Sequence, residues 1–218
     1  TETYNDSTGT AVILHKAVPS VVIATPTNKL GATTVLHTAK ISAVGNDIGV
    51  YRLTYSITSS TNVIASNYYT RLASCGLCGG VADGSQLSAT DAAGDYLING
   101  EDITIHTVDV NQAHGKRYLA ISSGATATVD LYASLTLTTS ADTVSTRILG
   151  DTATTTNDTG GSEAAAFGAK NQGDFVWSDL NGDTSQAAAS LTNKQWYNGY
   201  YVAGLGPTAT TTPVTIGE

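Results

Sequence analysis

Methionine is absent from this chain of 218 residues, and cysteine, phenylalanine and tryptophan occur only twice each. The missing methionine extends to position 1, which gives the expectation of a processed chain, exported after a leader was removed. Charge is scarce as well. Asp, Glu, Lys and Arg make up 13% of the residues, about half the share usual in soluble domains. Lys and Arg number 10 against 18 Asp and Glu, a net charge of -8, and a surface of that sign repels phosphate backbones and argues against a nucleic-acid partner. No apolar run approaches the roughly 20 residues that span a bilayer, so membrane insertion is not expected.

What the chain has instead is Thr, Val, Ile, Ala, Ser and Tyr. β-Branched side chains lose little rotamer freedom on a pleated surface, whereas a helix crowds them against the preceding turn, so this composition predicts strands. Ile48–Thr58 alternates, with Tyr51, Leu53, Tyr55 and Ile57 on one side and Arg52, Thr54, Ser56 and Thr58 on the other, a core face and a wet face. Ala125–Thr139 alternates from Val129 through Leu131, Ala133 and Leu135 to Leu137 and is long enough to call for a bend or bulge. Further strands are predicted over 33–43, 62–73, 103–110 and 117–122. Residues 151–174 read as a long surface excursion with a short helix at 164–169. Asn198-Gly199 between aromatic runs predicts a tight hairpin that sets Tyr197 opposite Tyr200 and Trp196 opposite Tyr201. The spacing predicts an all-β, immunoglobulin-like two-sheet β-sandwich with an extended N-terminal strand and long surface loops.

The N-terminal segment is apolar and extended, with Val12, Leu14 and Val18 on one face and Ala11, Ile13 and Ala17 on the other, interrupted by Pro19. Proline cannot donate to a ladder, so this strand belongs at a sheet edge or breaks at that point. Residues 1–24 form a candidate donor strand and 25–218 the sandwich domain; the alternative is that 11–24 is simply the first strand of its own sheet.

Lys16-Ala17-Val18-Pro19, Val50-Tyr51-Arg52-Leu53-Thr54-Tyr55, Phe175-Val176-Trp177-Ser178-Asp179 and Trp196-Tyr197-Asn198-Gly199-Tyr200-Tyr201-Val202 together give the chain a likeness. From about residue 12 to 206 it resembles the Thr-rich immunoglobulin-like domains of large secreted surface proteins of candidate-phylum (patescibacterial) bacteria. The resemblance implies a surface role without catalysis. Cys75-Gly76-Leu77-Cys78 departs from that pattern.

Cys75 and Cys78 stand at redox or half-zinc spacing, but no second ligand pair completes a zinc site and no helical context supports redox chemistry, so a local disulfide in an oxidising compartment is expected, with free thiols as the alternative. Asp179, Asn181 and Asp183 open like a calcium loop, yet Thr184 and Ser190 occupy the positions where such a loop needs Gly and Glu, so an Asx-type turn is favoured over a metal. Trp196, Tyr197, Tyr200 and Tyr201 offer either cross-strand packing or a sugar-stacking platform. No nucleophile elbow or metalloprotease helix occurs, and neither an enzyme nor a cofactor is expected.

The function expected from sequence is therefore a structural subunit of an extracellular filament, pilus or surface layer, joined to other copies of itself head-to-tail by β-strand addition. Val12, Ile13, Leu14 and Val18 lie in the assembly strand. The alternative is a cell-surface adhesion or carbohydrate-binding module facing host or environmental glycans.

Overall fold

A computed structural model describes residues 15–26, 33–60, 63–79, 81–87, 102–106, 118–151, 174–180, 197–199, 202–205 and 214–217. These residues form an all-β sandwich. Its strands are β1 (Ala17–Ala24), β2 (Thr34–Gly45), β3 (Ile48–Ser59), β4 (Ile64–Ser74), β5 (Gln86–Leu87), β6 (Asp102–His106), β7 (Leu119–Ile121), β8 (Thr126–Thr136), β9 (Thr143–Ile148), β10 (Phe175–Ser178), β11 (Tyr197–Asn198) and β12 (Val214–Gly217). The five-stranded sheet runs β1-β2-β8-β4-β5, and the seven-stranded sheet is built around β3. Every strand pair within the two sheets is antiparallel.

β8 lies at the heart of the first sheet, and its alternation is unbroken: Ala127, Val129, Leu131, Ala133 and Leu135 are buried, while the residues between them face outward. The strand ends at Thr136, short of the expected Thr139, and holds no inserted residue of its own. The irregularities fall on its neighbours, where β2 gains a residue between Val35 and His37 and β4 gains residues between Ser66 and Tyr69 and between Leu72 and Ser74. Asn67, inside the first β4 bulge, takes a left-handed φ of 55°, which asparagine tolerates because its short polar side chain bonds locally.

β3 is paired on both sides. Val50 pairs with Leu119 and with Trp177, and Tyr55 with Ile103 and with Ile148, so β7 and β6 lie end to end along one flank and β10 and β9 along the other. The expected excursion therefore leaves and rejoins a single line of pairing, departing after Asp151 and returning at Asp174. β9 was not anticipated, although Val144, Thr146 and Ile148 turn inward at every second position.

One expected face is corrected. In β3 the register slips by one against β10, between Val176 and Trp177, so Tyr51 is an inserted residue and shares the outer side of the sheet with Arg52. Tyr51 packs with Tyr118, Ala120, Val176 and Leu180 in a second apolar cluster, apart from the main core that holds Leu53, Tyr55 and Ile57. The outer side is wet only in part: Arg52, Thr54 and Ser56 are 5%, 3% and 8% exposed, while Thr58 meets solvent as expected.

Between the sheets sits one buried histidine. The Thr146 hydroxyl donates to the Leu36 carbonyl at 2.9 Å, so at 3.0 Å from His37 Nδ1 it must accept, which fixes the proton of the neutral ring on Nδ1. The Tyr55 ring meets His37 edge-on at 5.6 Å. Nε2 has no hydrogen-bond partner, and burial holds the His37 pKa down to about 4 from 6.5. As pH falls below 6.5 the unfolded chain takes up a proton that the fold refuses until about pH 4, so stability declines across that window. The full loss is roughly 3 kcal/mol. Urea titrations at pH 7 and pH 5 are expected to show this decline in the native chain and a flatter dependence in His37→Gln, whatever that variant's baseline stability.

Candidate functional site

Three buried carboxylates organise the chemistry of the described residues, and each is spent on the main chain. Asp151, at the end of β9, is 7% exposed and accepts from the Asp174 amide at 2.7 Å, the Phe175 amide at 2.9 Å and the Gly199 amide at 2.7 Å. It closes the neck of the excursion and ties β11 to β10. Gly199 is required there for space, since a Cβ would stand 2.7 Å from the Phe175 Cβ. Arg52 supplies the compensating charge: burial lowers its pKa, and Tyr51, Asp174 and Asp151 act in the opposite direction. Asp142 accepts from the Thr138 and Thr139 amides and from the Thr138 and Ser60 hydroxyls, and these bonds, the Thr139 amide foremost, hold its carboxyl below the usual range.

Asp179, only 3% exposed, anchors the chain as it enters β1. Its Oδ2 accepts the Lys16 amide at 3.2 Å and lies 3.9 Å from His15 Nδ1. The His15 ring is flanked by Tyr197 at 4.5 Å, edge-on, and by Trp177 at 5.2 Å. Burial and the Asp179 charge push the Tyr197 hydroxyl up to about 12. Leu180 is left-handed at φ 54°, and its amide bonds the Ser178 hydroxyl, so the side-chain acceptor at this bend is Ser178 and not Asp179 of the expected Asx-type turn. Asp179 faces inward as an anchor; Asn181 and Asp183, the other members of the weak calcium candidate, lie outside the described residues.

The aromatic segment departs from its expected form. Tyr197 pairs with Trp177 across β10 and β11, is 8% exposed, and packs against the Trp177 ring at 5.1 Å. Gly199 does not take the positive φ that a type I′ turn at Asn198-Gly199 needs. The Val202 amide bonds the Gly199 carbonyl instead. Tyr197 is thus turned away from any open platform, while Trp196, Tyr200 and Tyr201 lie outside the described residues.

The expected assembly strand is placed in part. Ala17–Ala24 pairs along its whole length with β2 of its own chain, from Ala17 opposite Gly45 to Ala24 opposite Thr38. Within the chain this stretch is the first strand of its own sheet, the alternative to a donor strand. Its inward side chains are Ala17, Pro19 and Val21; Val18 points outward and is 40% exposed. The Val21 amide bonds Ala203 on the side away from β2, so Pro19, two residues earlier, also presents its nitrogen to the open edge, where a missing donor costs no ladder bond. Gly204 completes the cover: a Cβ there would run into the Val21 carbonyl. Val12, Ile13 and Leu14 lie outside the described residues.

Cys75 and Cys78 form a disulfide, with 6% and 3% exposure. Asp83 accepts the Cys75 amide at 2.6 Å, and Ser122 bonds the Leu77 carbonyl, so the bridge fixes a loop against two strand ends. Among the described residues no group of His, Cys, Asp and Glu could hold a metal ion. The chain matches no known family model and no curated protein.

Two substitutions test these roles. Asp151→Ala strands three amides and is expected to cost about 3 kcal/mol in urea denaturation, with Asp151→Asn losing less because one acceptor oxygen remains; equal midpoints for both variants and the native chain would refute the clamp. Cys75→Ser with Cys78→Ser is expected to cost about 2 kcal/mol, the small value appropriate to so short a loop.

Proposed function

We propose that this chain is a structural subunit of an extracellular surface assembly, joined to other copies of itself. The observation that carries the reading is how the described interior uses its ionised groups. Asp142, Asp151 and Asp179 bind main-chain amides where the chain must be pinned, which suits a load-bearing scaffold. A buried disulfide supports residence in an oxidising compartment.

Strand addition remains the proposed link, narrowed by the pairing of β1. Donation from residues 17–24 would cost the whole β1–β2 ladder, so the donor lies before them, in residues 1–14 with Val12, Ile13 and Leu14 as its apolar positions. The Asp179 contacts at His15 and Lys16 give such an arm a fixed root.

Deleting residues 1–14 is expected to leave the thermal midpoint within a few degrees of the native value while abolishing assembly in electron micrographs of concentrated protein. Deleting residues 1–24 removes an edge strand and is expected to unfold the domain. Assembly that survives the shorter deletion overturns the donor segment.

A further inference from the structure

The two outer faces of the sandwich are unlike. On the seven-stranded sheet, the alternate positions of β3 are buried from Arg52 to Ser56 even though they are polar. The five-stranded sheet leaves its outer face open. Four of the five exposed large hydrophobic side chains among the described residues stand on it: Val18, Val22, Val44 and Ile64, at 40%, 58%, 53% and 56% exposure. Val18 and Val44 are direct cross-strand partners. Towards its centre Tyr69 and Tyr132 stack at 5.1 Å with planes 6° apart, and the Arg71 guanidinium lies 5.8 Å over Tyr132. Tyr and Arg surrounded by small apolar and hydroxyl groups is the composition of an interface centre.

The sign of its charge decides the partner. Lys40 and Arg71 face outward here, with Lys16 exposed at the head of β1, against one acid on the face, Asp130, which stands opposite Arg71 in the ladder and accepts from the Thr38 hydroxyl at 2.7 Å. This is a cationic patch on a chain of net charge -8. Two such patches repel each other, while the remaining surface of another copy attracts them. We propose that the outer face of the β1-β2-β8-β4-β5 sheet docks against a different, acidic surface of a second copy of this chain. The contact is heterologous, so it builds a ring or an open filament and does not stop at a dimer. Stacked tyrosines covered by Arg71 leave little ring face for a sugar, which disfavours a glycan as occupant. Strand spacing of ~4.8 Å and a rise of ~3.3 Å per residue give the four long strands a face of about 700 Å², close to the ~800 Å² per partner of a stable interface.

The proposal rests on the reading of the chain as a self-assembling subunit and adds a second contact to the N-terminal one. Sedimentation of the full chain over a concentration series tests it, using native protein and the double variant Val44→Asp with Lys40→Glu, both exposed positions whose replacement leaves the core intact. The variant is expected to need at least ten times the native concentration for half-assembly, and native assembly is expected to weaken in about 0.5 M salt, where the charges are screened. Native assembly that is indifferent to the double variant overturns this docking face and leaves the subunit reading standing. A native species that stops at a dimer overturns the heterologous contact. A native chain that stays monomeric at every concentration overturns both readings, and monomers that bind neutral polysaccharide through this face assign it to a sugar instead.

Discussion

Amides from Asp174, Phe175 and Gly199 converge on the buried carboxylate of Asp151, and the seven-stranded sheet depends on that convergence. β3 is flanked on one side by β9 and β10, which follow the same line but are separated in sequence by residues 149–174. A strand interrupted in this way has free amides at the break, and buried amides without partners are costly. A carboxylate accepts several at once and is stronger as an acceptor than a carbonyl, so a single side chain restores the edge and holds β11 in place. The cost is a buried negative charge, offset by those bonds and by Arg52 nearby.

The same device recurs with different partners. Asp142 ties the turn after β8 to the end of β3 through Ser60, and Asp179 ties the chain entering β1 to the end of β10. Each joins segments distant in sequence at a point where regular pairing stops. In a chain with so few charged residues, this use of aspartate is a substantial part of what its acids do.

The asymmetry of the two faces follows from one inserted residue. Tyr51, displaced by the bulge in β3, brings an aromatic ring to the outer side of the larger sheet, where it gathers Tyr118, Val176 and Leu180. That layer covers the part of the face around Val176. The smaller sheet has bulges too, but they lie beside β8 and leave its outward row of hydroxyls, tyrosines and valines exposed. The proposed docking contact accordingly falls on the open face.

Composition and period-two alternation determined the fold class, most of the long strands and the edge position implied by Pro19, because each depends on a side chain's own preference or on neighbours two residues away. The local disulfide was legible for the same reason. Tertiary structure alone decided the rest. The register slip that turns Tyr51 outward depends on how β10 meets β3, and Thr-rich β9 becomes recognisable as a strand only when β3 supplies its ladder. The pairing of Tyr197 with Trp177, the inward anchoring of Asp179 and the role of Asp151 join residues that are far apart in the chain. Hydrogen bonds and charges act through space, and linear spacing carries no record of which distant amide a carboxylate will meet.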